Sequence, residues 1–136
     1  MADTAIARKL LIKPNHKILI LNAPDGYLKQ LESLPKGAEV KTKADGTFDL
    51  VQVFVYNKAD VARLGQSAIE AMKPGGLLWM TYPKKTSKIK TDISRDTGWE
   101  AVREQGMEGV SLIAIDDTWS AMRFRPASEV KPRSKA

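Results

Sequence analysis

Cysteine is absent from this chain, and histidine occurs once, as His16. Disulfides and thiolate chemistry are thereby excluded, and a zinc site lacks the several Cys or His ligands it ordinarily takes. No apolar run comes near the ~20 residues needed to cross a bilayer. Residues 1–13 hold no long apolar core followed by a cleavage signature. The expectation is a soluble cytoplasmic protein with no membrane partner. A complete catalytic or cofactor motif is also missing. The glycines of Lys73-Pro74-Gly75-Gly76 precede a strand instead of opening a helix, so the turn is no Walker loop. No catalytic residue and no metal ligand is assigned.

What is present suits one domain: 136 residues, of which 43% are apolar, can build a single layered core. The net charge of +6 favours anionic partners. The excess is clustered. Arg8, Lys9, Lys13 and Lys17 lie near the start, Lys84, Lys85, Lys88 and Lys90 in a central loop, and Arg123, Arg125, Lys131, Arg133 and Lys135 at the end. The domain is expected over residues 1–126, and 127–136 read as a basic, disordered tail.

Residues 5–12 carry Ile6, Leu10 and Leu11 at helical spacing and stop before Pro14. Residues 18–21, Ile-Leu-Ile-Leu, do not alternate and so read as a strand buried on both faces. The turn Asn22-Ala23-Pro24-Asp25-Gly26 opens a short helix with Tyr27, Leu28 and Leu31 inward, stopped at Leu34-Pro35-Lys36-Gly37. A second strand over 38–42 and a polar turn at Asp45-Gly46 lead into a third strand over 48–56. Asn57 caps the next helix, with Asp60 three residues on and Val61, Leu64, Ala68, Ile69 and Met72 at helical spacing. A wholly apolar strand over 77–82 follows, then the basic loop 84–90 and a helix expected over 92–105 with Trp99 and Val102 inward. Strands over 110–115 and 119–125 are joined by Asp116, Asp117 and Thr118 alone, which forces an antiparallel hairpin.

This order predicts an α/β, Rossmann-like three-layer sandwich: a mostly parallel six-stranded sheet with a C-terminal antiparallel hairpin. Ligands of such sheets gather beyond the carboxyl ends of the strands. The candidate rim is therefore residues 22–27, Tyr56 and Asn57, 82–90, and 116–119.

The residues Leu11-Ile12-Lys13-Pro14 before Ile18-Leu19-Ile20-Leu21, Phe48-Asp49-Leu50-Val51, Met72-Lys73-Pro74-Gly75-Gly76-Leu77 and the final hairpin together resemble a class I S-adenosylmethionine-dependent methyltransferase core. The likeness runs over about residues 10–126 and is to small uncharacterised bacterial proteins with this core in shortened form. It implies a strand order of second, first, third, fourth, then the hairpin's last strand. It makes S-adenosylmethionine the possible cofactor. Two departures bear on that. The family's glycine-rich turn after the first strand is here Asn22-Ala23-Pro24-Asp25-Gly26, and its acidic residue at the end of the second strand is here Thr42-Lys43, with Asp45 nearby in a turn. The cofactor motif is incomplete, and residues 42–48 leave no room for the family's next edge strand and helix.

Asn22, Asp25, Gly26 and Tyr27 are the candidate cofactor-binding residues, although Asp25-Gly26 also suits an ordinary turn. Tyr82, Lys84, Lys85, Ser87, Lys88, Asp116 and Trp119 are the candidate ligand or anion site. Lysine charge, hydroxyl donors and free amides at a following helix start would receive phosphate or carboxylate. Against this stand a solvated loop, turn chemistry at Asp116 and Asp117, and core packing for Trp79 and Trp119. His16, before the first strand, reads as a solvated surface residue. The function expected is a degenerate methyltransferase-like module, more a binder than an enzyme, taking an anionic small molecule or a protein partner at the carboxyl rim. An active methyltransferase with an atypical cofactor turn, or a nucleic-acid binder, are the alternatives. The apolar strand near Val110 offers an edge for a homodimer.

Overall fold

The structure, a computed structural model, describes residues 5–31, 34–95 and 97–127. The expected tail lies, from residue 128 on, outside the described residues. Six strands form one sheet in the order β2-β1-β3-β4-β6-β5. They are β1 (Lys17–Leu21), β2 (Glu39–Lys41), β3 (Phe48–Phe54), β4 (Met72–Pro83), β5 (Met107–Ala114) and β6 (Trp119–Pro126). The first four run parallel, and β6 is antiparallel to both β4 and β5. This is the predicted sandwich and the predicted strand order.

The unbroken apolar runs are explained by what covers each face. Ile18, Ile20, Leu50, Phe54 and Trp79 pack with Ala7 and Leu10 at helix α1 (Ala5–Lys9) and with Tyr27 and Leu31 at helix α2 (Tyr27–Gln30). Their neighbours Leu19, Val51, Val53, Leu78 and Met80 pack on the other face with Val61 and Ala68 of α3 (Lys58–Ala71) and Val102 of α4 (Glu100–Arg103). Because side chains alternate along a strand, a strand covered on both sides is apolar at nearly every position. Trp79 adds a direct tie, its Nε1 donating to the carbonyl of Leu10 at 3.0 Å. No helix among the described residues is long and apolar enough to cross a membrane.

The start of α3 follows its sequence signal. The Asn57 side chain accepts from the Asp60 amide at 2.9 Å, and Asp60 accepts in return from the Tyr56 amide at 2.9 Å. Two expectations need correction. The helix foreseen over 92–105 is reduced to Glu100–Arg103. Asp92 instead accepts from the Lys58 amide at 2.7 Å, capping α3 from outside, and the Trp99 indole donates to the Ser94 and Arg95 carbonyls at 2.9 and 3.2 Å. With Gly98 at φ +102°, the segment before α4 is a loop wrapped around Trp99. Leu28, expected inward on α2, is 43% exposed, since a helix of one turn turns only Tyr27 and Leu31 to the sheet.

The Lys-Pro-Gly-Gly turn lies inside β4. Met72 pairs with Phe48 and pairing resumes at Leu77 opposite Leu50, so residues 73–76 bulge from the amino edge of the sheet. Gly75 takes φ +79°, which a side chain disfavours. A Cβ on Gly76 would stand 3.0 Å from the carbonyl oxygens of Asp49 and Lys73. Asp49 ties the bulge down: one carboxylate oxygen accepts from the Lys17 amide at 2.8 Å, the other meets Lys73 Nζ at 3.3 Å.

The Lys17 amide bond chiefly, aided by Lys73, holds the Asp49 carboxyl below its ordinary pKa despite some desolvation. With the folded pKa below the unfolded one, the unfolded chain binds more protons in acid, so this stabilisation is present above the ordinary carboxylate pKa and is lost as pH falls through the depressed value. Asp49→Asn should cost about 1 kcal/mol at pH 7, less than the roughly 1.5–3 kcal/mol of a charge-assisted hydrogen bond because the site is partly exposed. Urea denaturation of both proteins from pH 7 to pH 2 should show the gap closing only at the acid end. A gap independent of pH would contradict this account of Asp49.

Candidate functional site

The carboxyl ends of β1, β3 and β4 and the hairpin turn meet at one rim, as the topology requires. Pro83 pairs with Trp119, the Lys84 amide donates to the Thr118 carbonyl at 2.8 Å, and Asn22 Nδ2 donates to the Phe54 carbonyl at 2.9 Å. The predicted rim segments are thus neighbours in space. What each side chain does there varies.

Of the four candidate cofactor residues, Asn22 is exposed but spends its amide on Phe54, in the left-handed conformation at φ +60°. Asp25 and Gly26 are exposed beside a shallow 280 Å³ depression that Ala23, Pro24, Leu28 and Lys29 complete. Tyr27 is not at the surface. Its side chain is buried, and its hydroxyl donates to Gln52 Oε1 at 2.8 Å; Gln52 Nε2 donates in turn to Thr81 Oγ1 at 3.0 Å. Gln52 and Thr81 are both fully buried, so this chain of polar groups from α2 to β4 is satisfied from within. Burial pushes the Tyr27 phenol well above its ordinary pKa, against a lowering by the Gln52 bond and with a further rise from Asp116.

The aromatic candidates are packed. Trp119 is 5% exposed and stands edge-on to Phe54 at 5.0 Å and to Tyr56 at 5.1 Å, and Phe54 in turn meets Tyr27 at 4.6 Å. Tyr82, also 5% exposed, stands edge-on to Trp99 at 5.3 Å. Asp116 is exposed, and one of its oxygens accepts from the Thr118 and Trp119 amides at 2.8 and 2.9 Å, which closes the hairpin. That is the turn chemistry weighed against catalysis above. Ser87 likewise serves its own loop, donating to the Lys84 carbonyl at 2.8 Å and accepting from the Ile89 amide. Lys88 is exposed.

Lys84 and Lys85 line a groove of 450 Å³ together with Tyr82, Thr86, Ser94, Arg95 and Ser120. Two ammonium groups, one guanidinium and four hydroxyls around one opening suit an anion. Arg95 and Ser94 were missed in the sequence because they fell inside the expected helix; Gly98, a poor helix residue, was the available signal. A larger cavity of 690 Å³ opens at the β2 edge, where Leu28, Leu31, Leu34 and Val40 meet Lys17, Lys41, Thr42, Lys43 and Asp45. Among the described residues no group of three or more acidic or imidazole side chains could hold a metal ion.

No family model and no curated protein matches the chain in sequence. Solved structures do match in shape. DhpI, in complex with SAM and HEP, has a TM-score of 0.60 at 14% identity, with 89% of this chain and 84% of that one covered. A SAM dependent methyltransferase from Aquifex aeolicus gives 0.60 at 12%, covering 86% and 85%. The Methanococcus jannaschii fibrillarin pre-rRNA processing protein gives 0.62 at 15%, covering 90% and 74%. The fold is class I methyltransferase-like. At these identities the likeness establishes the architecture alone.

The residues present do not reproduce the cofactor features that this resemblance implies. The turn after β1 has one glycine, a proline without an amide hydrogen, and a tyrosine folded into the core in place of an open cradle. The β2 strand ends at Lys41 without a carboxylate. Tyr27→Phe should leave Gln52 Oε1 buried without its donor and destabilise the fold by about 1–3 kcal/mol. Denaturant unfolding measures this; a cost below about 0.5 kcal/mol would mean that the polar chain is not what holds α2 to the sheet.

Proposed function

We propose that this chain is a methyltransferase-like module that binds an anionic small molecule at the carboxyl rim, in the groove of Lys84, Lys85 and Arg95, and that it does not transfer methyl groups. The observation that carries this reading is the contrast between two parts of one rim. The turn after β1 is committed to structure, through Asn22 on Phe54 and Tyr27 on Gln52, while the loop after β4 turns cations and hydroxyls to an open groove. Asp116 contributes a closed turn instead of an available base.

Calorimetry with S-adenosylmethionine and S-adenosylhomocysteine should give no binding heat up to millimolar ligand. Sulfate and phosphorylated small molecules should shift the backbone amide resonances of residues 84–87 in NMR titrations, and Lys84→Gln with Lys85→Gln should weaken the affinity read there by roughly tenfold or more, given that charge-assisted hydrogen bonds contribute about 1.5–3 kcal/mol each. An unchanged affinity at those resonances in the double variant would remove the groove as the site.

A second reading is an active methyltransferase. The open surface at Gly26, where an added Cβ would meet nothing within 4 Å, favours it, as do the bound SAM and SAH of the DhpI structures with which this fold aligns. Methyl transfer rests mainly on orienting nucleophile and methyl donor, so the lack of an acid or base does not forbid it. Micromolar cofactor binding that is lost in Asp25→Ala would establish this second reading and overturn the first. Nucleic acid as the ligand would show itself by an affinity falling steeply with salt, with a log–log slope set by the number of phosphates contacted.

A further inference from the structure

The least expected group of side chains lies at the opposite, amino edge of the sheet. A cavity of 380 Å³ opens there beside the Lys-Pro-Gly-Gly bulge, within the size range of small-ligand sites. Lys13, His16, Lys73 and Arg123 line it, with Asp49 and the backbone of Gly75 and Gly76. Four separate stretches of chain contribute: the segment after α1, the start of β3, the bulge in β4, and β6.

Three features of this cavity point to an anion. The first is charge: Lys13, Lys73 and Arg123 face a single carboxylate, and Asp49 already has both oxygens engaged, by the Lys17 amide and by Lys73. The second is Arg123 itself. It stands across from Trp79 in β4 and Ser111 in β5, on the half-buried part of the sheet, and its Nε is sealed from solvent with no hydrogen-bond partner among the described residues. A guanidinium nitrogen buried without an acceptor is costly, and an enclosed donor of this kind calls for one. The third is His16. Its Nδ1 accepts from the Lys13 amide at 3.2 Å, so the proton of the neutral ring sits on Nε2, which makes the ring a donor there. Burial chiefly, and the charge of Arg125, hold the Arg123 guanidinium below its ordinary pKa.

We propose that the amino-edge cavity is a phosphate-binding site, in which Arg123 and Lys73 hold the phosphate group of a small phosphorylated metabolite. A planar guanidinium fork with ammonium groups beside it matches a phosphate's several oxygens better than a lone carboxylate's two. Bound phosphate supplies the acceptor that Arg123 Nε lacks. The site is separate from the carboxyl-rim groove and does not depend on what that groove binds.

The test uses the full chain and two probes, inorganic phosphate and ribose 5-phosphate, at constant ionic strength. In ¹⁵N-edited NMR the Nε–H resonance of Arg123, assigned by its loss in Arg123→Gln, should shift as either probe is added. Calorimetry of the same probes, run in the Lys84→Gln with Lys85→Gln background so that the rim groove does not contribute, should show affinity at least tenfold weaker on adding Arg123→Gln or Lys73→Met, Lys73 being partly exposed. Lys84→Gln with Lys85→Gln, at the far edge, should leave the Arg123 shift unchanged. A larger response to ribose 5-phosphate than to phosphate supports an organic phosphoester, and an equal response supports recognition of the phosphate group alone. An Arg123 resonance unmoved at millimolar probe, or a Lys73→Met variant with unaltered affinity, overturns the proposal.

Discussion

Parallel strands cannot be joined by tight turns, because each connection must return from the carboxyl edge of the sheet to the amino edge. Most of this structure is a response to that requirement. Where β3 leads to β4, the return is the fourteen residues of α3, and the helix covers one face on its way back. Between β2 and β3 only six residues, 42–47, are available. Extended, they reach about 20 Å at most. The strand β2 is correspondingly short: it begins opposite Lys17 and stops at Lys41, opposite Leu19, part-way along β1. A longer β2 would put its end beyond what the link could recover.

That shortage has a chemical consequence. A β2 that stops half-way cannot deliver a side chain to the carboxyl rim, so the position at which the methyltransferase resemblance implies a carboxylate is not built here. The residues that follow, Thr42, Lys43 and Asp45, instead line the cavity at the open β2 edge. The same economy operates after β1. The helix there is a single turn, too short to bury much apolar surface, and it is anchored by a side chain, Tyr27, reaching through the core to Gln52 and Thr81. A tyrosine used as an anchor is unavailable to a ligand. The missing carboxylate at the end of β2 and the Tyr27 anchor after β1 both follow from short connections.

The parts of the fold that were legible in the sequence are those governed by local pattern. Ile18 to Leu21 and Leu77 to Tyr82 announce two-sided burial, Asn57 and Asp60 announce a helix start, and the short link at 116–118 announces a hairpin; each is observed. The helix over 92–105 failed because its first half is held by one partner remote in sequence and by one side chain turned back on the backbone. Asp92 is drawn to the Lys58 amide 34 residues away, and the Trp99 indole captures the carbonyls of Ser94 and Arg95. No helical periodicity encodes such contacts. Arg95 was hidden from view for the same reason.

The amino-edge cavity was illegible for a further reason, which is that charge is scored along a chain while a site is assembled across it. Lys13 and His16 read as part of a basic start, Lys73 as the prelude to a turn, and Arg123 as one of several cations near a basic end. The sheet brings them together because β6 runs antiparallel to β4, so that Arg123, near the end of the chain, lies across from Trp79, just after the start of the apolar run. A parallel β6 would have sent its later residues to the carboxyl rim. Strand direction thus decides which of the two edges gains Arg123, and with it the Nε that is buried without a partner among the described residues.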